Sequence, residues 1–389
     1  MYQKIWNKSF TKLTISNFLI CVVYYSLISA LPVYLDTQLH AGKSIVGIVL
    51  AAYTIASVTI RPFSGYALDK FGRKVIFLSA LFFYSLVCTG YLFAVSVGIL
   101  ILLRFAHGFA WGVTTISGNT VVVDITPVDK RGEGIGYYGL STTMGMAIGP
   151  FVGMLVARQW GFMLMFFCCF IISTIGFLLA ASVKYPKYVP KNENKKFSWS
   201  NLFEKKSLIP SSNLFLVMIP YGGLLSFIVL YGQEIGVAHP ASFFLVYALG
   251  IACSRFLSGK VFDKQGPHNI LLICISLLIA GFILLASIKS SLGFYCAALV
   301  MGFGNGVVFP IFQAMVNNMV VPNRRGAGNS TLFTFLDLGM GLGMLVDGFI
   351  SEHLSIRTAF LISSLICTVG LVYFLTVVCS HYNKYKLVG

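Results

Sequence analysis

The sequence predicts an all-α membrane protein of twelve transmembrane helices, built as two parallel halves of six. Three observations carry that prediction. Charge is scarce: of 389 residues, 28 are Lys or Arg and 12 are Asp or Glu, 10% in all, while 57% are hydrophobic and the mean hydropathy is +0.84. A soluble domain carries about 25% charge, so this chain cannot clothe a water-facing surface. That excludes a soluble enzyme, a disordered chain and a collagen-like fibre. Apolar runs long enough to cross a bilayer recur along the chain, and charged and glycine motifs repeat at one fixed shift of 194 residues.

A spanning helix takes about 20 mostly apolar residues. Such runs lie at 13–35, 45–67, 75–95, 97–123, 134–157, 160–183, 211–233, 241–262, 270–288, 291–319, 328–351 and 356–379. A transmembrane barrel would instead alternate in segments of about 10 residues. The first run is too long for a removable signal and no small-residue cleavage site follows it. Residues 1–183 form the first half and 211–389 the second. The polar stretch 184–210 between them holds Lys184, Lys187, Lys191, Lys195, Lys196, Lys205 and Lys206 with Pro186, Pro190 and Pro210. It reads as a cytoplasmic linker with a short amphipathic piece at 197–203 on the membrane surface. All nine cysteines fall inside runs and none forms a CxxC pair, which suits small apolar packing residues rather than metal ligands or disulfides.

The gaps between runs sort the cations. With the N-terminus in the cytoplasm, 21 of the 28 Lys and Arg fall on the inner side. Only Lys43, Arg158, Lys289 and Arg357 fall outside, and Arg61, Arg104 and Arg255 sit within runs. That bias puts both termini inside. The net charge of +16 is therefore orientation signal and lipid-surface contact, with no basic patch left for a nucleic acid.

The repeat needs no gap. Arg61, Ser64, Gly65, Asp69, Lys70 and Gly72 match Arg255, Ser258, Gly259, Asp263, Lys264 and Gly266. Gly108, Phe109, Gly112 and Val113 match Gly302, Phe303, Gly306 and Val307. Arg131, Gly132 and Gly134 match Arg325, Gly326 and Gly328, and Gly145 and Gly149 match Gly339 and Gly343. Each run thus corresponds to the sixth one after it, in the same orientation. Parallel repeats about an axis along the membrane normal are one known plan of secondary transporters.

Four motifs stand on these runs. The loop after the second run reads Gly65-Tyr66-Ala67-Leu68-Asp69-Lys70-Phe71-Gly72-Arg73-Lys74. Gly65 would allow close helix approach and Gly72 a tight turn. Asp69 stands at a helix–loop junction, where it can meet a helix N-terminus or an Arg. The fourth run opens Arg104-Phe105-Ala106-His107-Gly108. Arg104 would lie about 10 Å deep and His107 one turn deeper. An intramembrane cation is a functional candidate and an imidazole can carry a proton. Arg104 bonding to backbone carbonyls and His107 as a packing residue are the structural alternatives. The loop that follows carries Asp124, Pro127, Arg131 and Gly132, repeated in part by Pro322, Arg324, Arg325 and Gly326. The fifth run holds Gly145-Met146-Ala147-Ile148-Gly149-Pro150-Phe151-Val152-Gly153. Glycines at i, i+4 and i+8 make one flat helix face, and Pro150 bends it.

In this order the four motifs resemble those of the major facilitator superfamily, across essentially the whole chain. The first matches the family's G-x-L-a-D-r-x-G-r-k gate loop. There the resemblance implies that Arg61, Gly65, Asp69, Gly72, Arg73 and Lys74, with Arg255 and Asp263 in the second half, latch the outward-open state. The second is similar to the span-4 motif, with His107 where the family has Gln. The glycine motif is similar to the family's antiporter motif, with Met154 where the last Gly is expected. It implies a bent contact with the other half that seals the site on one side and marks exporters exchanging substrate for protons.

One acidic residue lies deep in a run. Asp337 is about 15 Å from the inner face, where a charge costs several kcal/mol. Such a carboxyl must be neutral part of the time, paired, or in an aqueous cavity, and desolvation raising its pKa suits proton coupling. A hydrogen-bond anchor between helices is the alternative. An Asp before Leu-Gly there also resembles some bacterial exporters, including some for metallophores. Asp36, Glu234, Asp347 and Glu352 are expected at the outer rim. Asn17, Tyr24, Tyr25, Tyr221, Asn305, Gln313 and Asn317 are the candidate cavity lining, suited to amphipathic organic molecules.

The sequence thus predicts a monomeric, multi-pass protein of a cytoplasmic membrane, bacterial by its resemblances. It would export a drug or metabolite by proton antiport and alternating access, through Asp337, His107 and Arg104. Proton symport importing a sugar or organic acid is the rival. No phosphate-binding loop, HExxH or soluble domain is present, so neither an enzyme nor a self-contained ATP-driven pump is expected, and no cofactor or metal is called for.

Overall fold

A computed structural model describes residues 5–127, 130–185, 204–265, 267–321 and 324–386. Of Asp69, Gly132, 256–265, Arg325 and Gly326 only the backbone is described. Residues 186–203 of the expected linker, with the amphipathic piece at 197–203, lie outside the described residues, as do Pro322 and Gly266.

Twelve long helices follow in order: α1 Lys8–Gln38, α2 Lys43–Phe71, α3 Arg73–Gly90, α4 Val97–Ile125, α5 Arg131–Trp160, α6 Phe162–Ala181, α7 Leu208–Glu234, α8 Phe243–Gln265, α9 Pro267–Ser287, α10 Ser291–Met319, α11 Arg325–His353 and α12 Ile356–Tyr373. A π-helical segment, Phe374–Val378, joins α12 to the short α13, Cys379–Tyr385. No strand occurs among the described residues. Eleven helices are long and apolar enough to cross a membrane, and the twelfth, α8, is apolar through Pro240–Arg255.

Local chemistry sets the helix ends. The Asn7 side chain accepts from the Ser9 and Phe10 amides, both at 3.0 Å, and opens α1. Ser96, Ser290 and Ser355 cap α4, α10 and α12, each satisfying an amide that would otherwise be orphaned. Gly72 at φ 87° is the single joint between α2 and α3, and Gly161 at φ 90° that between α5 and α6. Both are left-handed positions that favour glycine.

The contacts group into two compact units: Met1–Leu39 with Ala52–Phe197, and His40–Ala51 with Ser198–Gly389. The grouping cuts through α2, whose first turns count with the second unit. In the first unit α1 packs on α5 and α6, and α3 on α4 and α6. In the second, α7 packs on α11 and α12, α9 on α10 and α12, and α8 on α10. α6 and α12 leave stripes of exposed Phe, Ile and Leu, including Phe167, Ile171, Ile175, Leu365 and Val369, as lipid-facing helices do.

The internal repeat is also a repeat of contacts, with the shift at 194 residues in α2, α4 and α6 and at 197 from α1 to α7. A Cβ on Gly108 would meet the Tyr53 carbonyl at 2.1 Å, and one on Gly302 the Tyr247 carbonyl at 2.0 Å. Ser16 Oγ donates to the Gly176 carbonyl at 2.7 Å, and Asn213 Nδ2 to the Gly370 carbonyl at 2.7 Å. The Tyr34 hydroxyl donates to the Ala94 carbonyl and that of Tyr231 to the Leu285 carbonyl. The two units use equivalent residues to close equivalent helix pairs.

Candidate functional site

In the first unit one face of α4 gathers Arg104, His107 and Trp111, at i, i+3 and i+7. Arg104 is 0% exposed. Its guanidinium carbon lies 4.1 Å from the centroid of the Tyr53 ring on α2. None of its three guanidinium nitrogens has a hydrogen-bond partner among the described residues, and the Tyr91 hydroxyl stands nearby. The bonds to backbone carbonyls that would make it purely structural are therefore not found there. A ring face returns about 2 kcal/mol to a desolvated cation, less than the several kcal/mol that burying the ion costs.

His107 is also fully buried. Its Nδ1 is 3.2 Å from the Tyr91 hydroxyl, its Nε2 is 4.0 Å from Cys88 Sγ, and its ring meets Tyr84 edge-on at 4.0 Å. Trp111 stacks on Tyr24 of α1 at 4.5 Å and 11°. Tyr25, half-buried, touches Tyr24 at 4.7 Å. The result is a cation and an imidazole sealed in an aromatic cluster between α1, α2, α3 and α4.

Asn17 is half-buried and hydrogen-bonded across two helices. Its amide donates to Ser141 Oγ at 2.8 Å and Thr142 Oγ1 at 3.0 Å, which braces α1 to α5. The α5 glycines complete that contact, so their face is seated on α1 of the same half rather than on the other half as the motif implied. A Cβ on Gly145 would stand 2.5 Å from Cys21 Cβ, on Gly149 2.7 Å from the Val22 carbonyl, and on Gly153 2.7 Å from Ser26 Cβ. Ser26 Oγ donates to the Gly149 carbonyl at 2.7 Å. Met154, the departure from the motif, is buried. Gly65 differs from expectation: nothing lies within 4 Å of where its Cβ would be. It faces outward on α2, so the close approach expected of it falls to Gly108 and Gly112 of α4, which seat on α2.

The gate-loop residues line a cavity of about 900 Å³ at the α2–α3 joint, with Arg73, Lys74, Asp124, Arg131, Lys184 and Tyr185 in its wall. Arg73 Nε lies 2.7 Å from Asp124 Oδ2, and Arg131 Nε donates to the Val123 carbonyl. Lys74 stands over the Tyr185 ring, whose hydroxyl pKa burial pushes up. Arg61 is buried and Arg255 donates to the Gly306 carbonyl at 3.3 Å. The side chains of Asp69 and Asp263 lie outside the described part.

In the second unit Asp337 is 8% exposed on α11. Tyr221 stacks on Tyr247 at 6.4 Å, and Asn305 lies beside the Tyr247 hydroxyl. Gln313 is half-buried. Asn317 accepts from Asn329 Nδ2 at 3.0 Å, which braces α10 to α11. At the far end of α11, Glu234 pairs with Lys43 and Glu352 accepts from the Lys43 amide. Asp347, expected at that rim, is instead 0% exposed. The signal was in the repeat: 194 residues before Asp347 stands Gly153, whose face is a packing face.

The family model of the Major Facilitator Superfamily matches residues 13–319 and 246–384. The chain is 22% identical over 368 residues to the staphylopine export protein of Staphylococcus aureus, covering 90% of this chain and 92% of that one. It is 24% identical over 389 residues to a multi-drug resistance efflux pump PmrA homolog of Lactococcus lactis, covering 95% and 94%. Among solved structures, a bacterial homolog of the human lysosomal transporter Spinster superposes with a TM-score of 0.79 at 14% identity, over 97% of this chain and 98% of that one.

Proposed function

This chain belongs to the major facilitator superfamily and is a multi-pass membrane transporter, not an enzyme; we propose that it exports a small organic molecule in exchange for protons. The observation that carries the proposal is the α5 face of Gly145, Gly149 and Gly153, seated on the backbone of α1 around Pro150. Its sequence resembles the family's antiporter motif, with Met154 in place of the last Gly. The names of the two relatives above, an export protein and an efflux pump, point the same way.

The proposed cycle is alternating access. The two halves take substrate from the cytoplasm, rock, and release it outside. Asp337 takes up an external proton and gives it to the cytoplasm, which resets the carrier. Arg104 and His107 supply the polar element of the first half. Both termini and the gate loop face the cytoplasm, in a bacterial inner membrane.

The test uses ethidium as probe. Inside-out vesicles carrying the protein should accumulate ethidium when their lumen is acid, and lose it when nigericin collapses the gradient. Accumulation driven instead by an alkaline lumen would establish symport and overturn the reading.

A further inference from the structure

We propose that Asp347 is a second proton-binding carboxyl, held as the neutral acid inside the contact between α7 and α11. The inference rests on the proton-antiport reading for its role in transport, but not for its chemistry.

The repeat frames the observation. On α5, Gly145, Gly149 and Gly153 lie against α1; on α11 the equivalent positions are Gly339, Gly343 and Asp347. Gly339 meets the Phe215 carbonyl and Gly343 the Ile219 carbonyl, as Gly149 meets that of Val22. At the third position the two units exchange sizes across the contact. The first unit puts Gly153 opposite Ser26. The second puts Asp347 opposite Gly223, where an added Cβ would fall 1.7 Å from Asp347 Oδ2. The α7 side has shrunk to admit a carboxyl that the α5 equivalent lacks.

That carboxyl has no ionic partner among the described residues. It is 0% exposed. Ser363 Oγ of α12 donates to Oδ2 at 3.5 Å, a weak bond, and Oδ1 has no partner among the described residues. The surrounding elements supply no compensating charge. α7 presents Gly223, while its Glu234 pairs with Lys43 and its Tyr231 hydroxyl donates to the Leu285 carbonyl. α12 presents Ser363, with buried Cys367 a turn further on, and Arg357 is turned to the Ala286 carbonyl. On α11 itself Ser351, one turn on, is buried with a hydroxyl that also lacks a partner among the described residues, and Glu352 is occupied by the Lys43 amide.

An ionised carboxylate there would be a bare buried charge, which proteins avoid by neutralising the group. The proton belongs on Oδ1. It can leave only when the packing loosens enough to admit water, so the protonation of Asp347 and the seating of α7 on α11 are linked. Two carboxyls on α11, Asp337 and Asp347, then stand about 15 Å apart along the helix.

Infrared difference spectroscopy on the purified full chain at neutral pH decides the protonation state without any substrate. Wild type minus Asp347→Asn should show the carbonyl stretch of a neutral acid; carboxylate bands in its place would overturn the proposal. Should Asp347→Asn fail to fold, the double variant Asp347→Gly with Gly223→Ser rebuilds the Ser26–Gly153 pairing of the first unit and supplies the same difference. The coupling role is read from ethidium uptake. Either variant should lose acid-lumen-driven accumulation and keep ethidium exchange without a gradient. Undiminished driven accumulation would overturn that role. Wild-type ethidium transport indifferent to the pH gradient would overturn the antiport reading and the coupling role together, and the infrared result would still judge the proton site.

Discussion

Asp337 and Arg104 pose opposite problems of buried charge, and one substitution each separates their roles. Asp337→Asn keeps size and hydrogen-bonding capacity but cannot exchange a proton. It should express and fold like wild type and lose pH-driven ethidium accumulation in vesicles. Full activity would remove Asp337 from the mechanism. Arg104 has no counter-ion among the described residues and leans on the Tyr53 ring. Replacing a poorly compensated buried ion by an apolar side chain of similar volume is often neutral or stabilising, by about 1–4 kcal/mol. Arg104→Met should therefore leave the thermal midpoint unchanged or raised while flux falls. A large drop in midpoint would show that the residue is held for stability instead. The sequence placed both residues inside the membrane by counting along their helices, since depth follows from a fixed rise per residue. It could not say which way a side chain faces. Asn17 and Asn317, candidates for the cavity lining, each bond across two helices as well. A rotation of one residue, about 100°, is enough to exchange those roles.

The helix contacts were easier to foresee than the side chains between them. A glycine stripe announces its own face, because small residues at every fourth position have no other common consequence in a membrane helix than close approach. Hence Gly145, Gly149 and Gly153 announced a close contact, but not its partner: the family resemblance implied the other half, and they seat on α1 of their own half. The reciprocal contact on α7 and α11 was harder, because the stripe there ends in Asp347 and the residue that makes room for it, Gly223, lies over a hundred positions away in sequence. Two substitutions test the geometry. Gly149→Val would force a branched side chain against the Val22 carbonyl, 2.7 Å from where a Cβ begins. Overpacking of this kind costs about 1–3 kcal/mol, so the midpoint should fall and transport with it. Gly223→Ala adds one methyl where Asp347 Oδ2 already stands. It should cost stability in wild type, and much less in an Asp347→Gly background, since the clash is with that carboxyl. Equal losses in both backgrounds would place the strain elsewhere.

The distribution of charge over the entire chain makes the last prediction. Fold class followed from composition because a bilayer leaves a chain few choices: unsatisfied backbone is too costly, so long apolar runs must be helices. Sidedness follows from a different force. Each Lys or Arg near an anionic inner leaflet is worth about 1 kcal/mol, and the proposed orientation puts 21 cations on one side against 4 on the other. The bias is not concentrated in one loop. The stretch 184–210 holds seven of the 21, and the remainder are spread over the two termini and four other loops. Orientation should therefore survive local changes. A fluorescent protein that matures only in the cytoplasm, fused after Gly389, should fluoresce, and a phosphatase active only outside should be silent at that position. Replacing Lys187, Lys191, Lys195 and Lys196 together by Gln removes four inner cations and still leaves 17 against 4. Both reporters should read as before. Inversion of either signal in that variant would mean that the linker alone sets the topology. The gate loop with Arg73 and Lys74 would then have no part in orienting the chain, and its charges would be free for gating alone.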